Sequence, residues 1–246
     1  MTDVLVLCYH ALSPTWEAAL SITPDALERQ LAPLVRHGWR SASFSDAVLD
    51  PPFPKTLAIT FDDAFASVDA YARPILSSLG LTATVFAPST YITEQRDLAW
   101  EGTRHWQETD HASELLPMSW NGLGSLIEQG WEIGSHTSTH PKLTEVGHDQ
   151  LGLELEGSRE ECERHLGVPC TALAYPYGAV DDRVALFSSR AGYRVAARLT
   201  SHLQRPVPMR WPRVGVYHGD DDMRFRLKAS RNMRRLRSSP LWYTHG

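Results

Sequence analysis

Residues 60–64 read Thr-Phe-Asp-Asp-Ala and place two adjacent carboxylates, Asp62 and Asp63, at the end of an apolar run. Two neighbouring carboxylates cannot both be buried cheaply as ions, so one of them needs a cation or a metal ion nearby. Successive side chains of a strand point in opposite directions, which would let one carboxylate bind metal while its neighbour acts on water. An adjacent Asp pair is also common in caps and turns, and that alternative stays open.

A second segment places His136 and His140 four positions apart. Two imidazoles at this spacing can converge on one divalent ion from a helical turn or a tight loop, with zinc–nitrogen distances of about 2.0–2.1 Å. Pro141 disfavours helical backbone at His140, so we expect a loop that follows a strand. A pair of solvated histidines near a helix start is the alternative in a chain with 11 histidines.

A third segment, residues 174–178, reads Ala-Tyr-Pro-Tyr-Gly and predicts an abrupt turn. Such a turn can present a backbone N–H, here that of Tyr177, to a developing oxyanion. In isolation the same string is also a common loop.

The elements around these segments alternate between strands and helices, as in parallel α/β architecture. Helical spacing of leucines follows a predicted start at Thr23 and Pro24. In parallel barrels the loops after the strand ends build the active site, so polar residues at those ends are candidates for chemistry. Apolar runs predict strands at residues 4–9, 57–61, 82–86, 131–136 and 171–175.

Between about residues 94 and 120 this alternation lapses into polar and aromatic residues that include Trp100, Trp106 and Trp120. We expect a long loop beside the substrate. The alternative is an insertion whose tryptophans pack on the barrel exterior, because aromatic side chains bury large areas wherever they pack.

The composition predicts one α/β domain over residues 1–246. The chain has 42% hydrophobic and 22% charged residues, which is typical of a folded globular protein. A formal net charge of −5 gives no electropositive footprint, so we expect no nucleic-acid partner.

The three cysteines, Cys8, Cys162 and Cys170, show neither metal-ligand spacing nor an even count, which argues against a disulfide framework. The start of the chain carries Asp3 where a secretory signal would carry positive charge, and its apolar run is short. No apolar stretch is long enough to span a bilayer. We therefore expect a soluble, cytoplasmic protein.

Taken together and in this order, the three segments resemble the motifs of the polysaccharide deacetylase family, the NodB homology domain of carbohydrate esterase family four. The resemblance covers residues 4 to about 215 and implies a distorted, NodB-like (β/α) barrel of about seven parallel strands. It implies Asp62 as general base and Tyr177 as backbone oxyanion donor. The metal ligands that it implies are Asp63, His136 and His140.

The chain departs from the family pattern at two positions. Ala64 replaces the usual glycine of the first motif, which we expect to be tolerated if the backbone there avoids φ > 0. Ala174 stands where the third motif normally carries an arginine that orients the catalytic aspartate. Arg213, in a segment that looks like the Pro-Arg-Ile of some family branches, is the candidate substitute.

The late Leu-x-His motif that supplies the family's general acid is also missing. The opening Leu-Cys-Tyr-His, which ends at His10, looks like the start of the biofilm poly-N-acetylglucosamine deacetylase branch, in which the motif order is permuted. His10 is then the expected general acid, and a histidine packed on the barrel rim is the alternative.

The resemblance implies a metal-dependent hydrolase that removes N-acetyl groups from an amino-sugar saccharide or its precursor and releases acetate. Zinc is the expected ion, although cobalt, nickel or manganese could use the same nitrogen and oxygen ligands. The alternatives are hydrolysis of another non-peptide C–N bond and a catalytically silent carbohydrate-binding homologue, which the loss of arginine at Ala174 would favour.

Residues 221–237 predict a basic C-terminal helix in which arginines alternate with apolar side chains. Such a helix could contact an anionic membrane or a lipid-linked substrate. The alternative is a solvated helix that flanks the barrel. The sequence does not fix the sugar, its linkage or the oligomeric state.

Overall fold

The apolar runs form parallel strands that close into a barrel, as predicted. The computed structural model describes residues 2–199 and 206–237, so the ends of the predicted domain 1–246 lie outside the described residues. The strands of the described residues are β1 (Asp3–Tyr9), β2 (Ala11–Leu12), β3 (Ser21–Ile22), β4 (Arg40–Ser41), β5 (Lys55–Phe61), β6 (Thr84–Ala87), β7 (Glu132–Ser135), β8 (Ala172–Ala174), β9 (Val195–Leu199) and β10 (Trp211–Gly215).

Seven of these strands, all parallel, form the closed barrel. Around it they follow the order β1, β10, β9, β8, β7, β6 and β5, and β5 pairs with β1 along its whole length. The short β4 adds to the start of β5, and β2 pairs with β3 beside the barrel. The predicted (β/α) barrel of about seven parallel strands is confirmed.

Helices surround the barrel, and the predicted helix start is confirmed by Thr23, whose hydroxyl accepts a hydrogen bond from the Ala26 N–H. The α-helices of the described residues are α1 (Pro24–Arg36), α2 (Phe44–Leu49), α3 (Arg73–Ser78), α4 (Ser89–Glu94), α5 (Trp120–Glu128), α6 (His148–Gly152), α7 (Ser158–Leu166), α8 (Asp182–Arg190), α9 (Asp222–Ala229) and α10 (Arg231–Arg237). Wider helical turns at Val68–Ala72 and Leu153–Gly157 lead into α3 and α7.

Two features of the helices bear on the predicted membrane contact. The predicted helix at 221–237 is two helices, because Ser230 adopts extended backbone (φ −63°, ψ 140°) between α9 and α10. Among the described helices, none has both the length and the apolar content needed to cross a bilayer.

Alternation along the strands divides the core into two layers. In β1, Leu5 and Leu7 pack in the cluster shared with α1, whereas Val6 packs in a second cluster with small residues such as Ala58 and Ala174. Side chains two positions apart share a face, so the positions after Val6 and Ala58 on this second face are Cys8 and Thr60. The barrel interior therefore carries polar groups toward the ends of the strands.

The segment after β7 is held by a buried carboxylate that the sequence did not single out. Glu154 is 1% exposed. Its Oε2 accepts the backbone N–H groups of Ser138 (3.0 Å) and Thr139 (2.8 Å), and its Oε1 accepts the Thr139 hydroxyl. Two amide donors in a loop between histidines are thus satisfied by one side chain from the following helix.

We predict that Glu154→Ala lowers the free energy of unfolding by about 2–3 kcal/mol, because it removes three partly buried hydrogen bonds to a charged acceptor. Glu154→Gln should lose less, since one carbonyl oxygen remains. The control is Glu156→Ala, which removes an exposed carboxylate two residues away and should change stability by less than about 0.5 kcal/mol. Denaturant unfolding measures all three, and equal losses at the two positions would contradict the role given to Glu154.

Candidate active site

Polar residues from three strand ends meet at one end of the barrel. His10 follows β1, Asp62 and Asp63 follow β5, and His136 and His140 follow β7. Each of these side chains is buried, with at most 8% exposure. They border a cavity of about 390 Å³ whose other walls include Trp100, Tyr177 and Tyr217.

Asp63, His136 and His140 converge on one point. One carboxylate oxygen and one nitrogen from each imidazole all lie within 4.8 Å of one another. The Nε2 atoms of His136 and His140 are each 3.4 Å from Asp63 Oδ1. The alternative of two solvated histidines near a helix start does not fit the structure, because both side chains are buried.

These three side chains fit a divalent ion. His136 Nδ1 lies 2.8 Å from the Ala174 carbonyl oxygen, to which it can only donate, so Nε2 is left as the acceptor that faces the cluster. Within the described residues, the buried Asp63 Oδ1 has no hydrogen-bond donor. A buried carboxylate oxygen without a donor beside two imidazole nitrogens is a donor set suited to zinc and neighbouring transition metals.

Without a metal ion, burial and the charges of the nearby carboxylates determine whether the two histidines are protonated. Burial lowers the pKa of His140 to about 3, so this imidazole is neutral. Burial by itself also lowers the pKa of His136, but the charges of Asp62 and Asp63 outweigh it and raise that pKa. A cation held by the cluster would compete with the proton on His136.

Arg213 reaches Asp62 across the barrel interior. Its guanidinium donates from NH1 to Oδ1 and from NH2 to Oδ2, both at 2.6 Å, and NH1 also donates to the Thr60 hydroxyl. Arg213 is 1% exposed. Burial raises the pKa of Asp62, but the adjacent charge of Arg213 outweighs it and holds the pKa well below its usual range. The structure therefore places Arg213 where the sequence analysis expected a substitute for the missing arginine.

His10 lies on the other side of Asp62. Its Nε2 is 4.0 Å from Asp62 Oδ2, and its ring stacks on Tyr217 with centroids 6.4 Å apart. Burial lowers its pKa. His10 therefore faces the cavity as a predominantly neutral imidazole rather than packing away on the rim.

Two aromatic rings enclose His140. Trp100 stacks on its face, with centroids 4.0 Å apart and planes inclined by 19°, and Tyr177 contacts it edge-on at 4.8 Å. Within the described residues, His140 Nδ1 has no hydrogen-bond partner. In metal-binding histidines, the ring nitrogen that does not face the metal usually donates its N–H to an acceptor, which orients the ring. At His140 the stacking of Trp100 orients the ring instead.

The segment between about residues 94 and 120 fits both interpretations made from its sequence, one part lying beside the cavity and another packing away from it. Trp100 lies at the cavity beside His140, as expected for a loop next to the substrate. Trp106 instead packs edge-on against Trp16. Trp120 stacks on His165 of α7, on the outside of the barrel.

Ala64 does not have the backbone conformation on which its tolerance was made conditional. It adopts φ 54°, and Asp63 before it adopts φ 71°. The turn that carries the carboxylates out of β5 needs left-handed backbone, and an alanine there costs roughly 1 kcal/mol more than a glycine. Left-handed backbone recurs at Thr137, His140 and Tyr177. Strain of this kind concentrates at functional sites.

Cys8 is a further neighbour of Asp62, to which the sequence pattern assigned no role. Its Sγ lies 3.5 Å from Asp62 Oδ2, and burial raises the pKa of the thiol. Cys8, His10 and Asp62 form a second group with close ligand atoms. Since Arg213 already engages both oxygens of Asp62, its charge disfavours a cation at this second group.

Comparisons with known proteins identify the family and the fold. The family model described as polysaccharide deacetylase matches residues 50–196, more than half of the chain. YxkH of Bacillus subtilis (strain 168), which is named for the same activity, is 23% identical over 195 residues. That alignment covers 77% of this chain and 62% of YxkH, so the chain spans less than two thirds of that relative.

Solved structures of low sequence identity share the fold. The Streptococcus pyogenes deacetylase PplD in complex with acetate is 20% identical with a TM-score of 0.76, over 93% of this chain and 99% of PplD. IcaB from Ammonifex degensii is 22% identical with a TM-score of 0.74, over 93% of this chain and 97% of IcaB. With its NodB-like barrel and a family match over most of its length, the chain belongs to the polysaccharide deacetylase family.

Proposed function

We propose that this protein is a metal-dependent hydrolase that removes the N-acetyl group from an amino-sugar-containing saccharide or saccharide precursor and releases acetate. The observation that carries the proposal is the buried cluster of Asp63, His136 and His140 beside a separate carboxylate, Asp62, that is held ionised by Arg213. One carboxylate would bind an ion, and the other stays available for proton transfer.

The ion would be held by Asp63, His136 and His140, and zinc is the proposed ion, with cobalt, nickel and manganese as alternatives. When bound, it supplies Lewis-acid polarisation of the acetyl carbonyl and lowers the pKa of water, which a carboxylate of low basicity such as Asp62 requires.

Asp62 is the proposed general base, because it is ionised at neutral pH and its oxygens border the cavity. The bidentate contact with Arg213 fixes the plane of its carboxylate and keeps it from taking a proton from bulk water. Arg213 is thus a positioning residue, since its guanidinium is buried behind Asp62.

His10 and Tyr177 are proposed to serve the leaving group and the oxyanion. His10 borders the same cavity, and in its protonated form, which the charges of Asp62 and Asp63 favour, it would act as general acid and deliver that proton to the amine that departs. The backbone N–H of Tyr177 would donate to the carbonyl oxygen as negative charge develops there. Burial raises the pKa of the Tyr177 phenol to about 12, so the side chain stays neutral beside His140.

A sugar substrate and a cytoplasmic location are also proposed. The cavity walls combine Trp100, Tyr177 and Tyr217 with the polar cluster, a mixture suited to the apolar faces and hydroxyl edges of a sugar. The three cysteines are free and buried, which supports the proposed cytoplasmic location.

We predict that the protein releases acetate from N-acetylglucosamine oligomers, that a chelator abolishes release, and that zinc restores it. Asp62→Asn should lower kcat roughly 100- to 10,000-fold while metal affinity persists, whereas Asp63→Asn should lose metal as well. Asp110→Asn, on the exposed surface, is the control. Full turnover by Asp62→Asn would overturn the assignment of Asp62 as general base.

The same assays separate the alternative functions. Saccharide binding without acetate release by the wild type would support a catalytically silent carbohydrate-binding homologue. Turnover only of other substrates would support hydrolysis of another non-peptide C–N bond.

The role of Arg213 predicts a change in pH dependence. In the wild type, Arg213 keeps the pKa of Asp62 low, so Asp62 does not limit activity near neutrality. In Arg213→Gln, burial dominates and raises the pKa of Asp62, so activity should be lost at a higher pH as the solution is acidified. Stability should fall by about 3–5 kcal/mol above pH about 4, where unfolded Asp is ionised. Arg210→Gln, which removes a guanidinium at the surface, is the control, and an unchanged acid limb of the kcat profile would contradict the proposal.

Stacking on His140 predicts a metal-affinity effect for Trp100. Trp100→Ala should weaken zinc binding about 10- to 100-fold, the range found when groups that orient metal ligands are lost, whereas Trp100→Phe keeps a ring and should lose much less. Competition with a chromophoric chelator measures affinity without turnover. Trp106→Ala controls for disruption of the same loop, and an equal loss in that variant would show that stacking on His140 is not the cause.

A further inference from the structure

A second cavity, of about 500 Å³, lies on the outside of the barrel between α1 and α9. Asp3 and Lys55, which begin β1 and β5, border it together with residues of α1 and α9. The lining of this cavity shares no residue with that of the candidate active site. Its volume is in the range of sites for small molecules or headgroups.

The cavity is cationic although the chain is acidic. Two carboxylates, those of Asp3 and Asp222, face five cationic side chains, which are Arg29, Arg36, Lys55, Arg226 and Arg231. Arg29 lies 3.7 Å from Asp222, and Arg231 lies 3.9 Å from Asp3. In the part of the chain that the structure describes, no ion pair involves Arg36 or Arg226. The local excess of positive charge therefore contrasts with the net charge of −5.

The cavity also contains a buried donor without an acceptor. Gln30 borders it and is 3% exposed. The Oε1 atom accepts a hydrogen bond from the Tyr9 hydroxyl at 3.1 Å, whereas Nε2 has no partner among the described residues. An unpaired amide donor beneath a cationic rim calls for an anionic oxygen, because a buried N–H without an acceptor is costly.

An exposed apolar pair stands next to the rim. Met223 and Leu227 of α9 are 77% and 54% exposed, and their spacing of four puts them on one face. Phe225 and Ala229 of the same helix are buried against the core. Arg226, which lines the cavity, lies between these two faces on the helical projection. The outer face of α9 thus presents apolar side chains beside the cationic opening.

We propose that the surface formed by α1 and α9 docks on an anionic phospholipid surface, with a headgroup phosphate in the cavity and Met223 and Leu227 in the interfacial region of the bilayer. A soluble phosphate compound would use the cations and Gln30, but it would leave the apolar pair without a role. Cationic residues near an anionic bilayer and apolar side chains at its interface act together. The proposal is independent of the deacetylase proposal, because the two cavities have no lining residue in common.

Sedimentation of the full chain with vesicles tests the proposal. Binding should occur to vesicles of phosphatidylcholine that contain phosphatidylglycerol and not to phosphatidylcholine alone. Arg36→Gln/Arg226→Gln should weaken binding about tenfold or more. The matched control, Arg190→Gln/Arg194→Gln, removes the same charge from an exposed surface near α8 and should bind within about twofold of wild type. Equal losses in the two double variants would overturn the cavity as the site.

The apolar pair and the buried donor are tested separately. Met223→Ser/Leu227→Ser should weaken vesicle binding, whereas Leu153→Ser/Leu186→Ser, which changes exposed leucines elsewhere, should not. Gln30→Glu keeps an acceptor for Tyr9 but replaces the donor with a carboxylate, so it should abolish the preference for anionic vesicles. Binding of inorganic phosphate without binding to anionic vesicles would assign the cavity to a soluble phosphate compound and overturn the proposal.

Discussion

The buried ion pair between Arg213 and Asp62 is the interaction on which the catalytic end of the barrel depends. Adjacent Asp62 and Asp63 place two negative charges in a region of low dielectric, where neither is tolerated without compensation. The structure compensates them separately: Asp62 has the guanidinium, and Asp63 has the two imidazoles and any cation they hold. Because Arg213 already satisfies Asp62, a divalent ion is directed to the Asp63 side.

The barrel topology explains how this arginine can come from an unexpected strand. In a closed barrel, inward side chains from several strands reach the same interior point. Ala174 of β8 packs in the small-residue interior cluster, and Arg213 enters from β10, two strands away in the barrel order. Phe86 belongs to the same cluster as Ala174, and the guanidinium of Arg213 lies 5.4 Å from the Phe86 ring. The small residue and the distant arginine are therefore two parts of one arrangement.

Sequence patterns predicted the structural features that depend on local periodicity. The runs that became β1 and β5, the helix start at Thr23 and the position of polar residues at strand ends all follow from rules that act within a few residues. Family resemblance added which side chains should converge. The patterns did not predict Trp100 against His140 or Glu154 under the histidine loop, since those contacts join segments whose spacing carries no periodic signal. The left-handed backbone at Ala64 was not predicted, because alanine itself gives no sign that the turn uses it.

Left-handed backbone at Asp63, Thr137 and His140 also determines how the site is maintained. Each such residue costs roughly 1–2 kcal/mol relative to ordinary helical backbone, so the local sequence does not by itself favour this geometry. The opposing contribution comes from contacts outside each turn, among them Glu154 beneath the histidine loop and the ring of Trp100 over His140. The barrel strands need none of these contacts for their pairing. Loss of the outer contacts should therefore relax the ligand geometry while the barrel stays folded, which makes the catalytic end the less stable part of the structure.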